Sequence, residues 1–232
     1  MDSIELKNIT RTYQDAQGEN FGAIDHVSLV WREGHSIALM GESGSGKSTL
    51  ARLVIGLERP SEGSILINGE DTCKWGLREW RKHRARIQAV FQDAGGTLNP
   101  AWSTSKNVEE ALCNFTDLSS SQRKQRISEM MELTEMRKEL LDTPVRRLSG
   151  GEQRRLALLR SLSISPQFLI LDEMTSGLDL ISTEAVLRLL EKYKQEHDCA
   201  YLVITHDIQI ASRLCEAIYE IDHGKIIKKA VR

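Results

Sequence analysis

The chain has 232 residues, of which 40% are hydrophobic and 28% charged, and this length and composition predict one ordinary globular unit with a sizeable core. Its formal net charge of −2 argues against a broad nucleic-acid surface, while four widely spaced cysteines exclude a secreted disulfide framework and favour reduced thiols in a cytosolic compartment. Apolar runs reach only a few residues, whereas a membrane helix needs roughly 20, so we expect no membrane span, and the acidic start MDSIELKNIT predicts no cleaved signal.

Short strand-like runs dominate the beginning of the chain. Residues 4–9, 27–31 and 36–40 are rich in strand-forming apolar residues and are separated by polar stretches such as DAQGEN. Helix and strand then begin to alternate. The sequence predicts a helix over 47–57 that is closed by ERPSEG, and short strands over 65–67 and 87–91.

The region from about 105 to 163 has a helical pattern. Ser119 and Gln122 have the spacing of a capping box. Ile127, Met130, Met131 and Leu133 then follow on one helical face. We interpret this region as a helical insertion.

Two buried-looking strands follow the helical region. They are predicted over 168–171 and 201–205, with a helix over about 182–196 between them. A strand, a helix and a second strand in this order are typical of a parallel sheet.

The first motif with a chemical meaning is GESGSGKST, which follows an apolar strand and opens a helix. Its glycines let backbone N–H groups converge on phosphate oxygens, Lys47 can reach the β- and γ-phosphates, and Ser48 can ligate Mg²⁺. A chance turn before a helix is the ordinary alternative, but the motif and its setting agree. The predicted phosphate loop consists of Gly41, Glu42, Ser43, Gly44, Ser45, Gly46, Lys47, Ser48 and Thr49.

The second motif is FLILDE, in which an apolar strand ends at two carboxylates. The carboxyl ends of strands are where open α/β sheets bind ligands. Asp172 suits a Mg²⁺ ligand through water, and Glu173 can orient or deprotonate a water for attack on the γ-phosphate. An acidic turn after a strand is common and means little alone, but paired with Lys47 it indicates nucleotide hydrolysis.

The segment LSGGEQRR opens an amphipathic helix, so backbone donors are presented at a second helix N-terminus. A plain helix cap would show the same pattern. Together with the phosphate loop, this segment resembles the signature motif of ABC-type ATPases, and the resemblance covers essentially the whole chain. It implies that Ser149, Gly150, Gly151 and Glu152 bind the γ-phosphate of ATP held by the phosphate loop of a second subunit.

The resemblance also implies the architecture. The expected fold class is α/β: a P-loop NTPase (RecA-like) core with an N-terminal antiparallel β subdomain and an inserted α-helical subdomain at about 93–163. The whole chain, 1–232, would then be a single ABC ATPase domain.

Further positions match the family pattern in the expected order, and each also has an ordinary structural interpretation. The resemblance implies that Tyr13 stacks on adenine, that Gln92 contacts Mg²⁺ and the attacking water, that Asp179 communicates across the dimer, and that His206 contacts the γ-phosphate. In the ordinary structural interpretation, Tyr13 is a packing aromatic, Gln92 a solvated strand end, Asp179 part of a turn and His206 a structural histidine. Met174 replaces the proline common after the catalytic glutamate, which leaves both carboxylates in place.

The loop after Gln92 reads DAGGTLNPAW, and its LNP resembles the peptide/nickel importer branch. A simple Gly/Asn/Pro turn is the alternative, and Gly95 and Gly96 depart from the bulkier residues expected there. The resemblance implies an ATP- and Mg²⁺-dependent importer subunit for peptides, nickel or metal chelates at the cytoplasmic face of a prokaryotic membrane. Residues 92–102 would then receive the permease, with Trp102 as either an exposed anchor or a core residue.

The implied partners are a second ABC ATPase subunit, two integral-membrane permease subunits and an extracellular substrate-binding protein, with no nucleic acid. A homodimer and a heterodimer remain equally open. One alternative is a soluble ABC-type ATPase acting on nucleic acid or ribosomes. Such proteins usually show two ATPase domains, a coiled-coil insertion or zinc-binding cysteine clusters, and the sequence disfavours this alternative because it shows none of them. Another is a P-loop kinase, which would leave the signature segment and His206 without a role.

Overall fold

The computed structural model describes residues 2–14, 18–93 and 95–231. Part of the predicted polar stretch DAQGEN and one residue of the loop after Gln92 therefore lie outside the described residues. The strands are β1 (Ser3–Gln14), β2 (Asn20–Arg32), β3 (Ile37–Met40), β4 (Glu62–Ile67), β5 (Glu70–Asp71), β6 (Ile87–Val90), β7 (Phe168–Asp172), β8 (Ala200–Ile204), β9 (Ala217–Asp222) and β10 (Lys225–Val231). The α-helices are α1 (Lys47–Val54), α2 (Leu77–Arg84), α3 (Thr104–Phe115), α4 (Ser120–Leu133), α5 (Gly150–Ser163), α6 (Leu180–His197) and α7 (Ile208–Leu214).

An antiparallel sheet in the order β2-β1-β4-β5 forms the N-terminal layer. Strand β1 pairs with both β2 and β4, and Tyr13 lies opposite Phe21 in the first of these pairs. Between β4 and β5, Asn68 and Gly69 both have positive φ, which matches the right-handed twist of a tight hairpin. The predicted antiparallel β subdomain is confirmed, and its strands extend beyond the predicted runs.

The second sheet has the order β10-β9-β3-β8-β7-β6, and all neighbours are parallel except β10 with β9. Strands β7 and β8 are buried along their whole length, which explains their continuous apolar sequences. Because these strands are parallel, the loops that follow β3, β6, β7 and β8 meet at one edge of the sheet. This edge brings together the sequence-distant motifs of the site.

Helices α3, α4 and α5 lie between β6 and β7 and pack on one another. The capping box is present, since the Ser119 N–H donates to the Gln122 side chain at 2.8 Å and the Gln122 N–H donates back to Ser119 Oγ at 3.4 Å. Ile127, Met130 and Met131 are buried as predicted, whereas Leu133 is half-buried. The bounds of about 93–163 for a separate subdomain stay a prediction, as does the single domain of 1–232.

Helix α1 ends before the predicted position because the chain turns at Gly56, which has a φ of 68° and packs against the Trp80 ring. Helix α2, which carries Trp80, is not predicted by the sequence pattern because it buries no residue. In the described part of the chain, no helix has both the length and the apolar character needed to cross a bilayer.

Candidate functional site

The predicted phosphate loop follows β3 and leads into α1. Gly46 caps the helix with φ 105° and ψ −1°, a conformation that favours glycine. A Cβ on Gly46 would lie 2.3 Å from the Ala23 carbonyl oxygen of β2, and one on Gly41 would lie 2.2 Å from the Ile221 carbonyl oxygen. The loop is therefore packed against backbone on both sides, which accounts for glycine at these two positions.

Lys47 is the first residue of α1 and is only 6% exposed. Its ammonium group donates to the Gly41 carbonyl at 2.9 Å, to the Glu42 carbonyl at 2.5 Å and to Ser45 Oγ at 3.2 Å. Burial lowers the pKa of Lys47, and the carboxylates of Glu173 and Asp172 oppose that shift. The cation is thus held by the loop's own oxygen atoms, in the place where a polyphosphate would supply stronger acceptors.

Strand β7 delivers the two predicted carboxylates to the sheet edge. Asp172 is 4% exposed; burial raises its pKa, and a hydrogen bond from Ser48 opposes the rise. Glu173 is half-buried and has a φ of 48°, in the left-handed region that side-chain-bearing residues rarely adopt. Its N–H donates to the Ile204 carbonyl at 3.0 Å, and its carbonyl accepts from Ser176 N–H at 3.0 Å. Two backbone bonds therefore hold Glu173 in an unfavourable conformation.

The donor set fits a magnesium ion bound together with phosphates. Ser48 and Asp172 supply a hydroxyl and a carboxylate that already contact each other. Among the described residues no cluster of three His, Cys, Asp or Glu could hold a metal ion by itself. Mg²⁺ is commonly held by one or two protein oxygens plus substrate phosphates, so the predicted ligands suit it.

A cleft of about 410 Å³ brings many of the predicted residues together. Its lining includes Tyr13, Ser43, Gly44, Gly46, Lys47, Ser48, Thr49, Gln92 and Glu173. His206 lies instead in a neighbouring groove, where Gly41 and Glu42 form part of the wall. His206 and Glu173 therefore line different cavities, and residues of the phosphate loop line both.

The cleft is also lined by four residues that belong to no predicted motif: Phe21, Ala23, Arg52 and Glu58. Tyr13 and Phe21 stack at a centroid distance of 5.6 Å and an interplanar angle of 29°. The Tyr13 hydroxyl donates to Glu58, which also contacts Arg11 at 3.2 Å. Phe21 directly follows a polar stretch of the sequence, but its pairing with Tyr13 is seen only in the structure.

The signature segment lies at the start of α5, outside the residues that line this cleft. Ser149 Oγ accepts from Glu152 N–H at 3.2 Å, and Glu152 accepts from Ser149 N–H at 2.8 Å. The Ser149 hydrogen bonds also lower the pKa of Glu152, with burial opposing the shift. Ser149 and Gly150 remain exposed, while Gly151 and Glu152 are half-buried. The structural role as a helix cap is present, and the exposed surface is available to a second molecule.

Arg154, one turn into α5, links this helix to the loop after β7. Its guanidinium donates to the Ser176 carbonyl at 2.9 Å. Asp179, at the end of that loop, caps α6 by accepting from Ser182 N–H at 2.9 Å, and this bond lowers the Asp179 pKa. Asp179 therefore has a structural function irrespective of any role across a dimer.

Residues of the predicted permease-binding loop are held by an asparagine pair. Asn99 N–H donates to Asn107 Oδ1 at 2.9 Å, and Asn107 Nδ2 donates to the Asn99 carbonyl at 3.2 Å. Trp102 is half-buried, with the Lys106 ammonium 4.6 Å from its ring centroid. It is neither a fully exposed anchor nor a core residue. Ala94 of this loop lies outside the described residues.

A family model described as ABC transporter matches residues 24–176. The chain belongs to the ABC transporter family. This ABC protein is 38% identical over 208 residues to the nickel import ATP-binding protein NikE of Escherichia coli K12, covering 90% of this chain and 78% of that protein. It is 40% identical over 205 residues to NikE of Shigella dysenteriae, covering 88% and 76%. The predicted enzyme class, an ATPase, is confirmed.

Solved structures agree with the ABC fold. The dimeric post-hydrolysis state of the ATP-binding cassette MJ0796, bound to ADP and Pi, is 32% identical and aligns with a TM-score of 0.91 over 98% of both chains. The structure of cbiO1 from Clostridium perfringens, part of the ABC transporter complex cbiONQ, is 28% identical and aligns with a TM-score of 0.83, covering 98% of this chain and 88% of that one. The predicted fold class is confirmed.

Proposed function

We propose that this chain is the subunit that binds and hydrolyses ATP in an importer for nickel, peptides or metal chelates. Two relatives named as nickel import ATP-binding proteins, at 38% and 40% identity, favour nickel within this group. The observation that carries the proposal is the division of the site: Lys47 and Glu173 share one cleft, whereas the signature segment, with Ser149 and Gly150 exposed, lies outside it. Two copies of the site would complete each other if each signature segment covered the other subunit's cleft.

The chemistry follows from the positions of the side chains. The Lys47 ammonium would exchange its contacts with the Gly41 and Glu42 carbonyls for phosphate oxygens, which bear more negative charge. Glu173 would orient and deprotonate the attacking water, with Gln92 beside it in the same cleft. Bound Mg²⁺, held by Ser48, Asp172 and Gln92, would neutralise charge on the phosphates. His206 would approach the γ-phosphate from the neighbouring groove.

Hydrolysis would be coupled to transport through subunit closure. ATP would bind between the phosphate loop of one subunit and Ser149, Gly150 and Gly151 of the other. Asp179 would communicate between the two sites across the dimer interface. The closing pair would act on two integral-membrane permease subunits at the cytoplasmic face of the membrane, through the loop 92–102. An extracellular substrate-binding protein would deliver the cargo, which is the transported substrate and not a resident cofactor.

Glu173→Gln tests the proposal, because it keeps side-chain size and removes the base. We expect kcat to fall by about 10²- to 10⁴-fold while ATP binding persists. Size-exclusion chromatography with ATP and Mg²⁺ should show a larger species, formed with itself or with its partner ATPase, that disappears when ADP replaces ATP. Lys47→Ala should lose both binding and turnover, and Glu196→Gln, an exposed site on α6, is the matched control.

The second arm of the test concerns the partner. The tagged chain should sediment with membranes and co-purify, after detergent solubilisation, with an integral-membrane protein. Sedimentation with ribosomes and stimulation of hydrolysis by ribosomes would contradict the importer proposal and support the rival ATPase. Unchanged turnover in Glu173→Gln would exclude Glu173 as the base and direct attention to His206 or a partner residue.

A further inference from the structure

Helix α2 is attached to the fold by aromatic contacts on one of its faces. The Trp80 ring packs against Gly56 in the turn after α1 and meets Trp75 edge to face at a centroid distance of 5.2 Å. The His83 ring stacks on Trp75 at a centroid distance of 4.0 Å and an interplanar angle of 16°. Trp80 and His83 are three residues apart and therefore share one helix face. These contacts fix which face of α2 is turned toward the protein.

The other face of α2 carries positive charge. Arg78 and Lys82 each lie two residues from Trp80, about 200° around the helix axis, so they point away from the aromatic contacts. Arg81 is adjacent to Lys82, and all three side chains are exposed; we call these three residues the basic face. Lys74 and Arg84, which flank it, are also exposed.

These five cations have no charged partners. Among the residues that the structure describes, none of the five makes an ion pair or a side-chain hydrogen bond. Glu79, the acidic residue of α2, accepts a backbone N–H at 3.0 Å, and Asp71 accepts another at 2.9 Å. Burial lowers the pKa of His83, with Glu70 opposing the shift, so this ring adds no positive charge at neutral pH. In a chain whose formal net charge is −2, α2 is thus a local concentration of unpaired positive charge.

Two leucines are exposed beside these cations. Leu77, the first residue of α2, is 87% exposed, and Leu57 is 57% exposed. Leu57 directly follows Gly56, the residue that the Trp80 ring contacts, so it lies next to α2. At a lipid interface apolar side chains enter the acyl boundary while lysine and arginine meet the phosphates, so such a surface uses both kinds of residue. A nucleic acid would use the cations and leave the leucines in water.

We infer that the basic face of α2, together with Leu77 and Leu57, binds an anionic phospholipid surface. This contact goes beyond the proposed function, because it needs neither nucleotide nor a permease subunit. Each lysine or arginine close to an anionic membrane strengthens binding about fivefold, so the three residues of the basic face contribute about 100-fold. The attachment is electrostatic and therefore reversible by salt.

Co-sedimentation of the full chain with vesicles tests this inference. We expect binding to vesicles that contain phosphatidylglycerol, no binding to vesicles of phosphatidylcholine alone, and release of the bound chain at high salt. Replacing the whole basic face by glutamine should weaken binding about 100-fold. The matched control removes the same charge from exposed lysines elsewhere and should keep binding within about threefold of wild type; it combines Lys124→Gln, Lys192→Gln and Lys228→Gln.

Leu77→Ala separates lipid from other anionic partners. It leaves every charge in place and should weaken vesicle binding about fivefold, because less apolar surface enters the membrane. Circular dichroism and MgADP binding should be unchanged in every variant, which shows that each one is folded. An equal loss in the basic-face variant and its matched control, or no vesicle binding by wild type, would overturn the inference. Tighter binding to a DNA duplex than to anionic vesicles, with no effect of Leu77→Ala, would overturn it in favour of a nucleic-acid partner. Failure of wild type to bind MgADP would instead contradict the proposed function alone.

Discussion

Gly46→Ala and Gly44→Ala together measure how firmly the phosphate loop is packed against β2. Both glycines have positive φ, 105° and 82° respectively. A Cβ on Gly46 would lie 2.3 Å from the Ala23 carbonyl oxygen and 2.8 Å from Ile24 Cδ1, whereas a Cβ on Gly44 would meet nothing within 4 Å. The two substitutions therefore share backbone strain and differ in steric contact.

The expected magnitudes follow from this difference. A left-handed conformation costs a residue with a Cβ about 1–2 kcal/mol, and both variants bear this cost. Overpacking adds about 1–3 kcal/mol in Gly46→Ala alone, since the backbone carbonyl cannot rotate away like a flexible side chain. We expect losses of about 1–2 kcal/mol for Gly44→Ala and about 2–5 kcal/mol for Gly46→Ala, a large share of the stability of a typical domain.

Urea unfolding followed by circular dichroism gives the free energy of unfolding for each variant. In thermal scans the larger loss should lower Tm by about 10 °C, since each kcal/mol shifts Tm by about 2–4 °C in a chain of this size. ADP binding should weaken more in Gly46→Ala than in Gly44→Ala, because β2 must shift to relieve the contact. Equal destabilisation by the two variants would refute the argument that β2 constrains the loop.

Three further predictions concern other parts of the fold. Ser149→Ala removes a helix cap and should lower the free energy of unfolding, measured in urea, by about 1 kcal/mol. It should also lower the turnover of the assembled complex while leaving ADP binding by the isolated chain unchanged. Tyr193→Phe removes the buried hydrogen bond from the phenol to the Leu162 carbonyl at 3.0 Å and should cost about 1 kcal/mol in the same assay. Arg213, with a smaller contribution from Arg188, lowers the pKa of Glu184 to about 2, so the stabilisation is present above the ordinary value of 4.5 and is lost as pH falls toward 2. Arg213→Met should therefore lower Tm at pH 7, and its difference from wild type should shrink between pH 5 and pH 3; a difference independent of pH would contradict the ionic origin.

Motifs that are continuous in the sequence were predictable because all the residues that define such a motif lie in one short segment. The phosphate loop, with glycines where backbone approaches and a lysine at the helix start, is one example, and the FLILDE strand is another. The fully buried strands β7 and β8 were equally readable, since both of their faces are covered. Asp179 was predicted from its match to the family pattern, whereas Ser119 was predicted from the spacing of a capping box.

Features that depend on register or on backbone strain were not predictable. Phe21 enters the cleft only because β2 begins several residues before its obvious apolar run and pairs with Tyr13. Helix α2 has no fully buried residue and too few apolar residues to show a helical period, although the half-buried Trp80 packs against Gly56. The positive φ of Glu173 has no sequence signal, because glutamate is not a residue that usually adopts it.

The hydrogen bond from Arg154 to the Ser176 carbonyl connects the helix that carries the signature residues to the segment that follows Glu173. Ser176 lies three residues after Glu173 and three before Asp179, in a segment anchored at both ends by hydrogen bonds. The guanidinium reaches the middle of that segment from the helix that presents the signature residues. A rotation of α5 relative to the parallel sheet must therefore either break this bond or move the segment with the helix. In the second case, the displacement of α5 also displaces the backbone next to the proposed catalytic carboxylate.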